Sequence, residues 1–219
     1  MRILASICVS LVLLPAVARA QVIADLQADF SLAAQGTNGI QYGNYTSANS
    51  TTGTFTTAGW VVSGSSWYGG ESLGTPAISM TINHPAVDTL NPAVRRYTIG
   101  SSGEPSLAGF VEISGMFYDQ ALGLTSGFIT VDGVNLFNMD VPNTGDSSGF
   151  VTFDLIVAVA PSSTIDFGVN AGADAFSDST GVTATITVVP EPSTISLLLL
   201  AGGGSLVLFC RRRAVSRRA

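Results

Sequence analysis

Lysine is absent from the 219 residues of this chain, and all nine basic residues are arginines. Seven of the nine (Arg2, Arg19, Arg211, Arg212, Arg213, Arg217 and Arg218) lie in the terminal segments. Only Arg95 and Arg96 remain between Gln21 and Val189, beside fourteen acids. A body this acidic has no basic face for phosphates, which argues against nucleic acid and toward cations or neutral polymers as partners. Cysteine is almost as scarce. Cys8 and Cys210 both sit in apolar terminal stretches, so the body has no disulfide framework, no thiol nucleophile and no thiolate metal site. A single histidine, His84, excludes a histidine-rich zinc site by count. Sustained helical periodicity is also missing from the body, and long apolar runs occur only at the two ends.

The N-terminal run starts with Arg2, continues through the apolar residues Ile3 to Leu14, and reaches Ala18-Arg19-Ala20 before Gln21. Charge, apolar stretch and small residues in that order read as a signal peptide over residues 1–20, cut after Ala20. The apolar stretch is too short for the roughly 20 residues of a spanning helix, which disfavours the alternative of an uncleaved anchor. Export by Sec-type machinery and removal by signal peptidase are therefore expected.

The C-terminal segment, residues 188–219, has three parts in series. Pro190-Glu191-Pro192 should be stiff and extended, because each proline fixes its own φ and restricts the residue before it. Ser193 or Thr194 can cap a following apolar helix at about 194–210, a short single span in which Gly202, Gly203 and Gly204 allow close helix approach. The arginines after it (Arg211, Arg212, Arg213, Arg217, Arg218) keep the tail cytoplasmic by the positive-inside rule. This order of parts resembles the PEP-CTERM sorting domain. The resemblance implies processing near Pro190-Glu191-Pro192 by an exosortase, a membrane-embedded cysteine transpeptidase of Gram-negative bacteria that make exopolysaccharide. An ordinary anchor that stays attached shares everything except the motif.

Residues 21–187 alternate short apolar runs with Gly, Asn, Ser and Pro. Strands are expected at Thr54 to Val62, Ala77 to Ile82, Val94 to Ile99, Phe110 to Tyr118, Gly127 to Val131, Val134 to Met139, Phe150 to Val159, Thr164 to Val169 and Val182 to Val189. Val182, Ala184, Ile186 and Val188 alternate with Thr183, Thr185 and Thr187 at the period of a half-buried strand. Asp132-Gly133 between two such runs predicts a type I′ hairpin. With no crossover helices, the expected fold is all-β: an antiparallel β-sandwich, most simply a jelly roll. The body also resembles small exported jelly-roll proteins that carry the same C-terminal signal and look like carbohydrate-binding modules. The resemblance lies in Gly39-Ile40-Gln41-Tyr42-Gly43, His84-Pro85, Pro92 to Tyr97, Phe110 to Gly115, Val131-Asp132-Gly133 and Ile165 to Val169. It implies a fold more than an activity.

Candidate binding residues follow from this frame. Tyr42, Tyr45, Trp67 and Tyr68 gather among Gly and Ser in the first third, where exposed aromatic faces could stack on sugar rings. The competing reading puts Trp60 in the core and leaves only Trp67 and Tyr68 on loops. Asp174 and Asp178, with carbonyls of the 172–181 loop, could ligate a structural Ca²⁺, against the plainer reading of solvated turn acids. His84 next to Pro85 lacks a nucleophile-elbow pattern and is expected to make a structural hydrogen bond rather than serve a triad. No catalytic constellation emerges. The expected function is a non-enzymatic envelope or matrix protein that binds glycan or exopolysaccharide, after transient residence in the inner membrane. The alternative is a small extracellular enzyme using two of the many carboxylates on polysaccharide.

Overall fold

Fourteen strands carry the body in a computed structural model that describes residues 20–48, 50–69, 76–86, 91–101, 108–121, 123–171 and 179–189. They are β1 (Gln21–Asp25), β2 (Ile40–Tyr45), β3 (Phe55–Thr56), β4 (Val61–Ser63), β5 (Ser66–Tyr68), β6 (Ala77–Ser79), β7 (Ile82–His84), β8 (Ala93–Thr98), β9 (Gly109–Asp119), β10 (Thr125–Val131), β11 (Val134–Val141), β12 (Phe150–Val159), β13 (Thr164–Ala171) and β14 (Thr180–Val189). One sheet has the order β12-β9-β14-β7-β6-β5-β4, with β1 also paired to β14; the other runs β11-β10-β13-β8-β2-β3. Ala20–Val189 forms one compact unit.

The jelly roll follows from connectivity. Strand β1 and strands β8 to β14 give the neighbours β1-β14-β9-β12 in one sheet and β8-β13-β10-β11 in the other, every pair antiparallel. The chain changes sheet at β8→β9, β9→β10, β11→β12, β12→β13 and β13→β14, which produces the two interlocked Greek keys of that architecture. The remaining strands extend the two sheets from β8 and β14.

Alternation fixes which side chains face inward. Val182, Ala184 and Ile186 are buried and face Val111, Ile113 and Phe117 on the neighbouring β9, while the intervening threonines are half-buried on the outer face. From the opposite sheet come Tyr97, Ile129, Ile165, Phe167 and Val169, and a ring contact from Phe153 to Phe117 at 5.4 Å tightens one end. Two glycines make room for large rings: a Cβ on Gly127 would meet the Phe117 ring, and one on Gly168 would lie 1.9 Å from Phe128 Cζ. A second, smaller cluster of Tyr45, Val94 and Phe128, covered by Phe55, is separate from this core.

Two expected strands are divided. Within Thr54 to Val62, the left-handed Gly59 (φ 79°) turns the chain, so β3 joins one sheet and β4 the other. Ala77 to Ile82 breaks at Met80-Thr81 into the β6–β7 hairpin, both strands remaining in one sheet. Strands β1, β2 and β5 had no sequence expectation, since Gly, Gln and Asn interrupt their alternation or their length is minimal. Residues 1–19 of the expected signal peptide (1–20) and 190–219 of the expected sorting segment (188–219) lie outside the described residues. Among the described residues no helix is long and apolar enough to cross a membrane; the helix expected at 194–210 is not among them.

Candidate functional site

Most of the candidate sugar-stacking aromatics are core residues. Tyr42 and Tyr45 are fully buried, and Trp67, expected on a loop, is only 6% exposed on β5. Trp67 stacks on Tyr42 with ring centroids 5.7 Å apart, and its Nε1 donates to the Ser31 carbonyl at 2.8 Å. The Tyr42 hydroxyl accepts from the Ser31 amide at 3.0 Å, and burial raises its pKa above the ordinary phenol value. An aromatic face already covered by protein has none left for a ligand, which corrects the reading of Trp67 as exposed. Tyr68 is half-buried at the end of the same strand. Trp60, read as core, is buried, with Nε1 donating to Asn44 Oδ1 at 2.9 Å.

The Trp67–Tyr42 stack clamps the β1–β2 loop, and Arg95 pins it from below. Arg95 is completely buried without a carboxylate partner. Its Nε donates to Asn83 Oδ1 (2.7 Å), Nη1 to the carbonyls of Leu26 (3.3 Å) and Met80 (3.1 Å), and Nη2 to those of Ser79 (2.6 Å) and Ile82 (3.4 Å). Phe30 lies 5.9 Å from its guanidinium carbon. Desolvation draws the Arg95 pKa down to about 10. One side chain thus ties the β1–β2 loop and the β6–β7 turn to β8.

These two loops and the β4–β5 turn enclose an open cleft of about 480 Å³ lined by Phe30, Ser31, Leu32, Ser65, Ser79 and Met80. Its apolar surface comes from Phe30, Leu32 and Met80, the last 55% exposed, and its polar rim from three serines. Among the described residues no carboxylate or imidazole lines it. Sequence reasoning missed this place: Phe30 and Leu32 lay outside every expected strand, and Met80 lay within the expected strand Ala77 to Ile82.

The neighbouring Arg96 has a different setting. Its Nε and Nη2 make a two-pronged pair with Asp166 at 2.7 Å each, and its guanidinium lies 4.1 Å from the Phe55 ring centre. Burial works most strongly against the Arg96 charge, but the hydrogen bonds and charge of Asp166, with Tyr45, together outweigh it and raise the pKa. The Tyr45 hydroxyl donates to Asp166 Oδ2 at 2.5 Å, and burial, then the Asp166 charge, raises the Tyr45 pKa well above the usual phenol value.

Other carboxylates serve the backbone. Asp119 accepts from the Thr144 and Gly145 amides at 2.6 Å each, and Asp132 from Ser163 Oγ and the Thr164 amide at 2.8 Å. His84 sits at the end of β7 with Nδ1 2.7 Å from the Pro85 carbonyl, a local structural bond. Among the described residues no three His, Cys, Asp or Glu side chains gather to hold a metal. Asp174 and Asp178 lie outside the described residues, as do Pro190, Glu191, Pro192 and the arginines Arg211, Arg212, Arg213, Arg217 and Arg218.

Solved structures similar to this chain include the family 35 carbohydrate-binding module from Clostridium thermocellum (12% identity, 67% of this chain and 97% of that one, TM-score 0.33). Others are CBM35 from Paenibacillus barcinonensis (16%, 68% and 99%, TM-score 0.33) and the module CBM6cm-2 from Cellvibrio mixtus lichenase 5A in complex with cellotriose (17%, 78% and 100%, TM-score 0.33). Likenesses at this level carry no residue correspondence, and the jelly-roll assignment stands on the strand order. No curated protein matches the chain in sequence. Residues 188–213, by contrast, match the family model of the PEP-CTERM protein-sorting motif, which begins within the last two residues of strand β14.

Proposed function

We propose that this is a non-enzymatic envelope or matrix protein: exported, held in the inner membrane by the segment at 194–210 with its arginine tail cytoplasmic, and processed near Pro190-Glu191-Pro192 by an exosortase-type transpeptidase. The sorting motif at 188–213 supports the address. The jelly roll then acts outside the cytoplasm as a glycan-binding module, with exopolysaccharide the expected ligand. One observation carries this part: among the described residues the open cleft combines an apolar floor with serine hydroxyls and has no carboxylate, which suits holding a neutral sugar and not cleaving one.

The test is glycan-array binding followed by titration calorimetry on the best ligand. Met80→Asp and Ser65→Trp should each weaken binding about tenfold or more while leaving the melting temperature unchanged, because a few central contacts dominate such sites. Trp67→Ala should lower stability as well, since it removes a core stack. No binding by the unaltered protein to any glycan would overturn the reading and leave a purely structural role.

A further inference from the structure

The first and last strands of the jelly roll bring both ends of the body to one corner. Gln21, expected to follow the signal-peptide cut, pairs with Val188, and Val189 closes β14 against Phe110. The sequence places an apolar run beyond each of these two points, of which the C-terminal one is the expected tether once the signal peptide is cut. Between Val189 and the expected membrane segment lie four residues, Pro190 to Ser193, which reach about 14 Å at most. Strand β14 alone, with ten residues, is about 33 Å long. The tether is therefore too short to let the sheet turn over freely, and the Val189 end is the end nearer the bilayer.

That end carries apolar side chains on its outer face. Phe110 is 47% exposed and pairs with Ala158, also exposed, on one side and Val189 on the other; in the next row Ile156 is 65% exposed and Val22, across from Thr187, is 56% exposed. Glu112 lies in that row beside Ile156. With an acidic side chain present and no lysine or arginine among these positions, the patch suits shallow apolar contact with neutral lipid, not attraction to anionic headgroups.

We propose that this corner, formed by Val22, Phe110, Ile156 and Val189, rests on the bilayer surface while the chain is still anchored, holding the cleft-bearing domain in a defined pose until the tail is processed. The proposal rests on the anchoring reading above. The test uses the full chain with Cys8→Ser and Cys210→Ser, so that a single added cysteine carries an environment-sensitive fluorophore, reconstituted in phosphatidylcholine vesicles containing headgroup spin-labelled lipid. Phe110→Cys and Ile156→Cys should be quenched about threefold more strongly than Phe150→Cys, which is equally exposed at the opposite end of the same sheet face, because side chains at the interface sit within the headgroup layer. Equal quenching at the three positions, with the protein retained after carbonate washing, would overturn the docking alone. Loss of the protein on carbonate washing would overturn the anchor and the docking with it.

Discussion

The two adjacent arginines of the body divide its polar chemistry. Arg95 satisfies four carbonyls and an amide oxygen from a fully buried position, so its removal leaves these acceptors without their donor. Arg95→Met should cost at least about 3 kcal/mol in urea unfolding, and should loosen the cleft because both of its main loops lose their tie. Arg96 is needed for Asp166, and Tyr45 completes that group. Tyr45→Phe deletes a hydrogen bond to a carboxylate and should cost about 1.5 kcal/mol at neutral pH. It should also change the alkaline limb. Tyrosine in the unfolded chain ionises near pH 10, below its raised value in the fold, so the folded state holds its proton longer and stability falls as pH rises past 10. Arg95, lowered to about 10, acts in the opposite direction in both proteins and cancels in the comparison. Melting curves between pH 9 and 11.5 should show a shallower decline in the phenylalanine variant; parallel declines would refute this. None of these roles was readable from the sequence, which showed two arginines in an acidic body but not that one faces carbonyls and the other a carboxylate.

At the scale of elements, the β10–β11 hairpin shows local chemistry deciding structure. Asp132 and Gly133 have φ of 50° and 78°, the left-handed pair that a type I′ turn demands, and the Asp132 carboxylate also caps the start of β13. Gly133→Ala should cost about 1 kcal/mol, and Asp132→Ala more, since it loses bonds to two partners; thermal unfolding checks both. Gly168→Ala tests packing instead. Its Cβ would overlap the Phe128 ring within the sheet, and a loss of about 1–3 kcal/mol is expected. Long alternating strands such as β9, β12 and β14 were visible in the sequence because each buries one face over many residues. Strands β3 to β7 have two or three residues each, too few for a period to register, and the β4–β5 and β6–β7 hairpins among them supply Ser65, Ser79 and Met80 of the cleft. The candidate site was therefore the least legible part of the chain.

For the molecule as a whole, the proposed address rests on the two ends. Mature protein should lack Met1 to Ala20, and replacing Pro190-Glu191-Pro192 with alanines should leave a membrane-held precursor. Intact-mass measurement on material from cells that carry an exosortase checks both; a wild-type mass that still includes Arg211 to Ala219 would mean the segment is only an anchor. The address was written locally, in residue order and composition, and a family model finds it in the sequence. The all-β class, the hairpin and the long core strands were likewise fixed by periodicity and turn chemistry, which act between near neighbours. The buried state of Tyr42, Tyr45 and Trp67, the partners of Arg95 and the cleft were decided only by tertiary structure. Each depends on loops far apart in sequence meeting across the end of the sheets, and an aromatic residue among glycines and serines reads the same whether its face meets solvent or another ring.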